Sequence, residues 1–409
     1  MGTLREDAES IVLSAIEAVL PDEAIRRALS GLRFPGRLYL VAVGKAAWRM
    51  ARAALEALEQ KPDGGVVISK YGHIPAALPG LACFEAGHPV PDENSVRAAR
   101  AALELTEGLE ESDTVLFLLS GGGSALFEAP LIPLGELRDV TDQLLASGAD
   151  IVEMNTVRKR LSAVKGGKFA LHCTPARIEA VILSDILGDP LDMIASGPVS
   201  PDSATCAEAL AVAEKYRLRL SEQAATCLRE ETPKSLPNVR AQINGSVREL
   251  CRAAAARCRE LGYEPVLLTD QLACEAREAG RFLAAVARTH AAEGRPMAYL
   301  AGGETVVHVT GKGKGGRNQE LALAAAEGLA GLENAALISV GSDGTDGPTD
   351  AAGGYVDGGT CALLASKGVS IPAILAENDA YSALAACGGL VVTGPTGTNV
   401  NDIAVLLLR

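Results

Sequence analysis

The chain of 409 residues carries 38 basic and 51 acidic side chains, a formal charge of −13, with 48% hydrophobic and 22% charged residues. That balance excludes a disordered chain, and an acidic protein with 3% aromatics makes a poor nucleic-acid binder. No run approaches the ~20 uninterrupted apolar residues of a membrane span, the Leu-rich tail being broken by Asn399, Asn401 and Asp402.

In chain order, residues 5–29 read as one amphipathic helix, with Ile11, Val12, Ala15, Ile16, Val19 and Leu20 at helical spacing. The first ten residues hold Arg5, Glu6, Asp7 and Glu9 rather than the apolar core of a leader. Leu38–Val43 reads as a strand before a helix near 46–60, and strands follow at 65–69 and 81–86. A helix over 94–108 then leads to a strand at 114–119. Further strands are predicted at 178–184, 265–269, 297–301, 305–310, 335–340 and 389–393. Val-, Leu- and Ile-rich strands separated by helices predict an α/β fold, its parallel sheets covered on both faces. Residues 230–238, with two prolines, read as a linker, giving a larger domain over 1–235 and a smaller one over 240–409. Nine cysteines without a CxxC pair suit reduced thiols and a cytoplasmic location.

Ligands of such sheets bind where strands end, so the loops after strands are where chemistry is expected. Four of them are rich in glycine: 43–45, 119–124, 310–318 and 341–347. Glycine lets backbone N–H groups approach an anion, although any single loop of this kind also suits a tight turn. Together, two of them carrying interleaved cations, they point to a phosphate site. Residues 311–316 match the dinucleotide pattern GxGxxG and also resemble a Walker loop, with Arg317-Asn318 in place of Lys-Ser/Thr.

Charge is segregated along the chain. Residues 154–178 hold Arg158, Lys159, Arg160, Lys165, Lys168 and Arg177 without an acid, and 305–319 hold Lys312, Lys314 and Arg317. Cations among glycines, Lys165 and Lys168 as well as the loop lysines, can converge on a phosphate or carboxylate, and Lys312 and Lys314 are candidate phosphate ligands. Acids gather at Asp185, Asp189 and Asp192 and again at Asp343, Asp346, Asp350 and Asp357. Oxygen ligands beside phosphate-binding cations are what Mg²⁺-assisted phosphoryl transfer needs. The five histidines show no metal-ligand spacing, and Ser120 and Ser124 lack the GxSxG elbow of a hydrolase.

Taken together, the motifs resemble a known family. AVGKAA (42–47), EAGHPVPDENS (85–95), LLSGGGSAL (118–126), MNTVRKRLSAVKGGK (154–168) and LSDILGDPLDMIASGPVSPD (183–202) are similar to the large domain of glycerate 2-kinases. AGGETVVHVTGKGKGGRNQELAL (301–323), SVGSDGTDGPTDAAGG (339–354) and GPTGTNVNDI (394–403) resemble their companion MOFRL domain. The resemblance implies two α/β domains with mostly parallel sheets and an active site in the interdomain cleft. It implies ATP-dependent phosphorylation of D-glycerate on its C2 hydroxyl, with Mg²⁺.

By the same resemblance Lys45 and Arg317 are the essential cations. Ser120, Gly121, Gly122, Gly123 and Ser124 would contact nucleotide phosphates or the substrate carboxylate. Asn155 and Arg158 would hold the glycerate carboxylate, and Asp185 is a candidate base. Asp189, Asp343 and Asp346 are candidate Mg²⁺ ligands. An NAD(P)H-dependent hydroxypyruvate reductase and a non-catalytic nucleotide-binding module are the alternatives, and a homo-oligomer is left open.

Overall fold

The computed structural model describes residues 2–409, which divide into two compact units. One comprises Ala24–Asn244; the other joins the residues up to Glu23 with Gly245–Arg409.

The Ala24–Asn244 unit is built on strands β1 (Leu38–Val43), β2 (Gly64–Lys70), β3 (Ala82–Ala86), β4 (Thr114–Leu119), β5 (Arg177–Leu183) and β6 (Val239–Gly245). Their order is β3-β2-β1-β4-β5-β6, and β1 to β5 pair in parallel. The strands bury both faces. Leu38, Leu40 and Ala42 of β1 pack with Met50 and Leu118, while Val41 and Val43 pack with Phe117 and Phe127. That alternation is the period-two pattern of a covered strand. The register aligns Val43 with Ile68 and Leu119, and Leu119 with Ile182, so the loops leaving these strands share one edge.

The second unit holds β7 (Glu264–Leu272), β8 (Met297–Gly303), β9 (Ala335–Gly341), β10 (Gly353–Asp357), β11 (Leu390–Val391) and β12 (Asp402–Leu408), in the order β11-β10-β9-β12-β8-β7. Here the expectation of a mostly parallel sheet is corrected: β7 and β8 are parallel, but the other pairings are antiparallel. Two strands reverse the pairing: β12, the Leu-rich tail, enters between β8 and β9 and runs against both, and β10 runs against β9 and β11. The strand expected at 305–310 is irregular chain, with an isolated bridge between Val306 and Glu275.

The segment expected as one helix over 5–29 forms two, Leu4–Ala18 and Pro21–Leu29. Pro21 cannot continue a helix, because it lacks the N–H and its ring opposes the preceding turn. The first helix opens with a capping box between Thr3 and Glu6 and packs on the helix Val247–Glu260, burying Ile11, Val12, Ala15 and Ile16. It therefore belongs with the C-terminal unit, not with a domain over 1–235.

Nor are residues 230–238 a free linker. Thr232 donates to Asp202 at 2.7 Å, and Asn238 donates to the Ala170 and Ala176 carbonyls before β6 completes the first sheet. The division falls after Asn244.

Candidate active site

At the shared edge of the first sheet, β1 ends in Gly44-Lys45 and β4 in Ser120–Ser124. Gly44 has φ +122°, and a Cβ there would collide with the backbone of Ser120. The two loops are pinned together: the Lys45 N–H donates to the Gly121 carbonyl at 2.9 Å, and the Ala46 N–H to Ser120 Oγ at 3.1 Å. Lys45 and His88 both lie against Gly122, while the Asp185 carboxylate, arriving from the end of β5, lies against Gly121. Burial, and after it Lys45, hold His88 below its usual 6.5, so it is neutral at neutral pH.

Lys45 is half-buried, and among the described residues no carboxylate or carbonyl takes its ammonium. The cations of 154–178 differ. Lys159 pairs with Asp202 at 2.8 Å and Asp192 at 3.2 Å, and Arg160 lies 3.5 Å from Asp202. Lys165 donates to the Ser124 and Phe127 carbonyls and lies 3.2 Å from Glu128, with burial pushing it down to about 8. Lys168 donates to the carbonyls of Lys159, Arg160 and Ser162. The acid-free run is thus mostly internal framework, and the expectation that Lys165 and Lys168 converge on a ligand is corrected.

Arg158 is the exception. It is buried, its Nε has no partner, and its one hydrogen bond is a long 3.4 Å contact to the Ser124 carbonyl. Asn155 lies one helical turn away on Ile151–Arg158, so both side chains face the same side. Ser196 donates to Asn155 Oδ1 at 2.8 Å and lies 3.0 Å from Ser124 Oγ. Ala195 and Ser196 have φ of 51° and 61°, a left-handed conformation rare for non-glycine residues.

In the second unit, the helix Arg317–Leu329 starts at a cavity of about 720 Å³ lined by Gly313, Gly315, Arg317, Asp343 and Thr345, among others. A cation at a helix N-terminus opposes the helix dipole. Carboxylates offset it here. Arg317 forks onto Asp402 at 2.6 and 3.1 Å and reaches Glu304 at 2.7 Å. Burial pushes Asp402 up to about 6, with Arg317 opposing the rise, so the carboxylate is ionised at neutral pH.

Asp346 is buried and caps this helix, accepting from the Asn318 and Gln319 N–H groups at 3.1 and 2.8 Å. It lines the same cavity, and the cap uses Oδ1 more fully than Oδ2, which accepts a single bond. Lys314 sits 4.2 Å over the Tyr381 ring, and neither Lys312 nor Lys314 lines the cavity. The GxGxxG resemblance also fails on geometry. No strand precedes the loop, and a Cβ on Gly311 or Gly313 would strike the backbone at Glu377 or Asp379, so these glycines serve packing.

For Mg²⁺, no group of three or more His, Cys, Asp or Glu side chains able to hold an ion occurs among the described residues. Mg²⁺ is usually held by one or two carboxylates plus phosphates, so single carboxylates suffice. Asp189 fits: it has φ 54°, and its Oδ1 is buried without a partner. Asp343 fits as well, lining the cavity with only Oδ1 engaged, by the Thr345 N–H.

Sequence reasoning missed Ser196, Asp402 and His88 as site neighbours. Ser196 and His88 lie inside quoted motifs, but the left-handed turn and the approach to Gly122 have no local signature. Asp402 is 85 residues from Arg317.

Residues 7–229 match a domain of unknown function, DUF4147, and residues 297–402 match the MOFRL family. The chain is 52% identical to the D-glycerate 2-kinase of Thermotoga maritima over 99% of both chains. It is 41% identical to a putative hydroxypyruvate reductase of Agrobacterium vitis, over 91% of this chain and 87% of that one. The crystal structure of glycerate kinase from Thermotoga maritima superposes with a TM-score of 0.95 over the whole of both chains, at 51% identity.

Proposed function

This chain belongs to the glycerate 2-kinase family, and from that premise we propose that it transfers the γ-phosphoryl group of ATP to the C2 hydroxyl of D-glycerate. The observation that carries the residue assignment is Lys45. It is a half-buried ammonium without an internal acceptor at the strand-end edge of a parallel sheet, whereas Lys159, Lys165 and Lys168 are engaged internally.

Phosphoryl transfer asks the protein for positioning and for charge at the transferring group. Each unit offers a candidate cation for that role, Lys45 in the first and Arg317 in the second. Asp402 and Glu304 hold the Arg317 guanidinium but engage only three of its five N–H donors. The glycine-rich loop Ser120–Ser124 would meet an anion through backbone N–H groups. Arg158 and Asn155 take the substrate carboxylate, and Asp185, against Gly121, accepts the proton of the attacking hydroxyl. Asp189 and Asp343 are the carboxylates suited to Mg²⁺. Either carboxylate would hold the ion through its oxygens, and the chemistry it would supply is neutralisation of phosphate charge. All nine cysteines are free thiols, which supports a reducing, cytoplasmic setting.

The test is an assay of purified protein with ATP, Mg²⁺ and D-glycerate, coupled to enolase without added phosphoglycerate mutase. Enolase-competent product is expected at once. Product that needs the mutase would move the phosphate to C3. NADH oxidation with hydroxypyruvate, in place of ATP consumption, would return the protein to the reductases.

A further inference from the structure

Ser196 holds a costly backbone conformation at the centre of a three-residue hydrogen-bond chain. It is fully buried at φ +61°, between Ala195 at +51° and Gly197 at +64°. A non-glycine residue there is strained and persists only where its surroundings enforce it. They do so here. The Ser196 carbonyl accepts from the Gly166 N–H and the Gly197 carbonyl from the Gly167 N–H, while Gly123 packs so closely on Ala195 that a Cβ would come within 2.5 Å.

The direction of the chain follows from proton counting. An amide oxygen can only accept, so the Ser196 hydroxyl gives its one proton to Asn155 Oδ1. Ser196 Oγ must then accept from Ser124, whose own proton is thereby turned inward. Two consequences follow. The Asn155 amide is fixed with its NH₂ away from Ser196, its nearest acceptor being the weak Met193 Sδ at 3.9 Å. Ser124, half-buried, keeps only lone pairs for a visitor. Beside them lies the Arg158 guanidinium, with its unpartnered Nε.

We infer that Ser196 is a specificity-determining positioning residue: it sets the polarity of the Ser124–Ser196–Asn155 chain, so that donors meet a carboxylate while an acceptor meets an adjacent hydroxyl. That pattern fits a 2-hydroxy acid, whose hydroxyl proton rests on Ser124 Oγ in the bound substrate and turns to Asp185 only as the oxygen attacks; it disfavours the 2-oxo acid of the same skeleton, which offers Ser124 no proton. The inference rests on the kinase reading and deepens it by naming what distinguishes glycerate from hydroxypyruvate.

Ser196→Gly is the informative variant, because glycine adopts this backbone without strain while the hydroxyl is lost. Ser196→Ala serves as a second, should the first fold poorly. Steady-state kinetics would give kcat, the KM for D-glycerate, the KM for ATP, and the inhibition constant of hydroxypyruvate competing with D-glycerate. The expected result is a ~10-fold rise in the KM for D-glycerate, the scale of one lost hydrogen bond in a polar network. The ATP KM should stay within about twofold, and the preference for D-glycerate over hydroxypyruvate should fall by a similar ~10-fold. An unchanged KM and preference in both variants would overturn the inference, as would parallel changes in both KM values, which a merely structural role would give. Absence of kinase activity in the wild type would instead remove the reading beneath it.

Discussion

The two cation-bearing, glycine-rich regions look alike in sequence and differ in what the fold does with their charge. In the first unit, most of the acid-free run of 154–178 is turned inward, with Lys159, Arg160, Lys165 and Lys168 engaged by carboxylates and carbonyls. The separate Lys45 and the thinly bonded Arg158 are not engaged in this way. In the second unit the lysines of the loop lie outside the cavity, and Arg317 lines it while clamped by two acids. The difference teaches that a run of like charge identifies neither framework nor site. The deciding quantity is how many internal partners each charge has.

The comparison can be broken at its framework end first. Asp202 receives Lys159 and Thr232 and lies beside Arg160, all buried. Asp202→Ala should cost about 3–5 kcal/mol of stability, the scale for stranding a buried charge. Chemical denaturation would measure it, and a loss below about 1 kcal/mol would show that these cations are not framework.

At the site end, Lys45→Ala and Arg317→Ala should each lower kcat by at least ~10²-fold, with the fold intact by circular dichroism. Near-wild-type turnover in both would remove the site assignment.

Asp402 sharpens the contrast through pH. Its value rises from the usual 3.8 to about 6, chiefly because it is buried, so the native state binds its proton more tightly than the unfolded chain. The stability contributed by this group is full below about pH 4 and is lost as pH rises through about 6. Asp402→Asn should flatten the stability profile across that window. A slope unaltered by the substitution would assign it to other groups.

The smallest effects belong to the loop lysines. Lys312→Ala and Lys314→Ala should leave kcat/KM within about threefold, since exposed charges with no buried partner contribute little. A tenfold loss would put the loop back among the phosphate ligands.

Much of this was legible in the sequence. Leu38–Val43 and Thr114–Leu119 could be read to the residue, because fully buried parallel strands are near-continuous apolar runs. The position of Lys45 was legible too, directly behind the strand Leu38–Val43. β12 was not, because its partners β8 and β9 are far away in the chain and its polar entrance at Asp402 resembles a loop. Ser196 and the clamp on Arg317 were hidden for a related reason. A left-handed backbone and a carboxylate 85 residues distant exist only once the chain has folded.

The central claim is tested most directly by the ³¹P NMR spectrum of the product formed from ATP and D-glycerate. Phosphate on C2 couples to a single methine proton and gives a doublet, which the account predicts. A triplet, from the methylene at C3, or inorganic phosphate alone would contradict it.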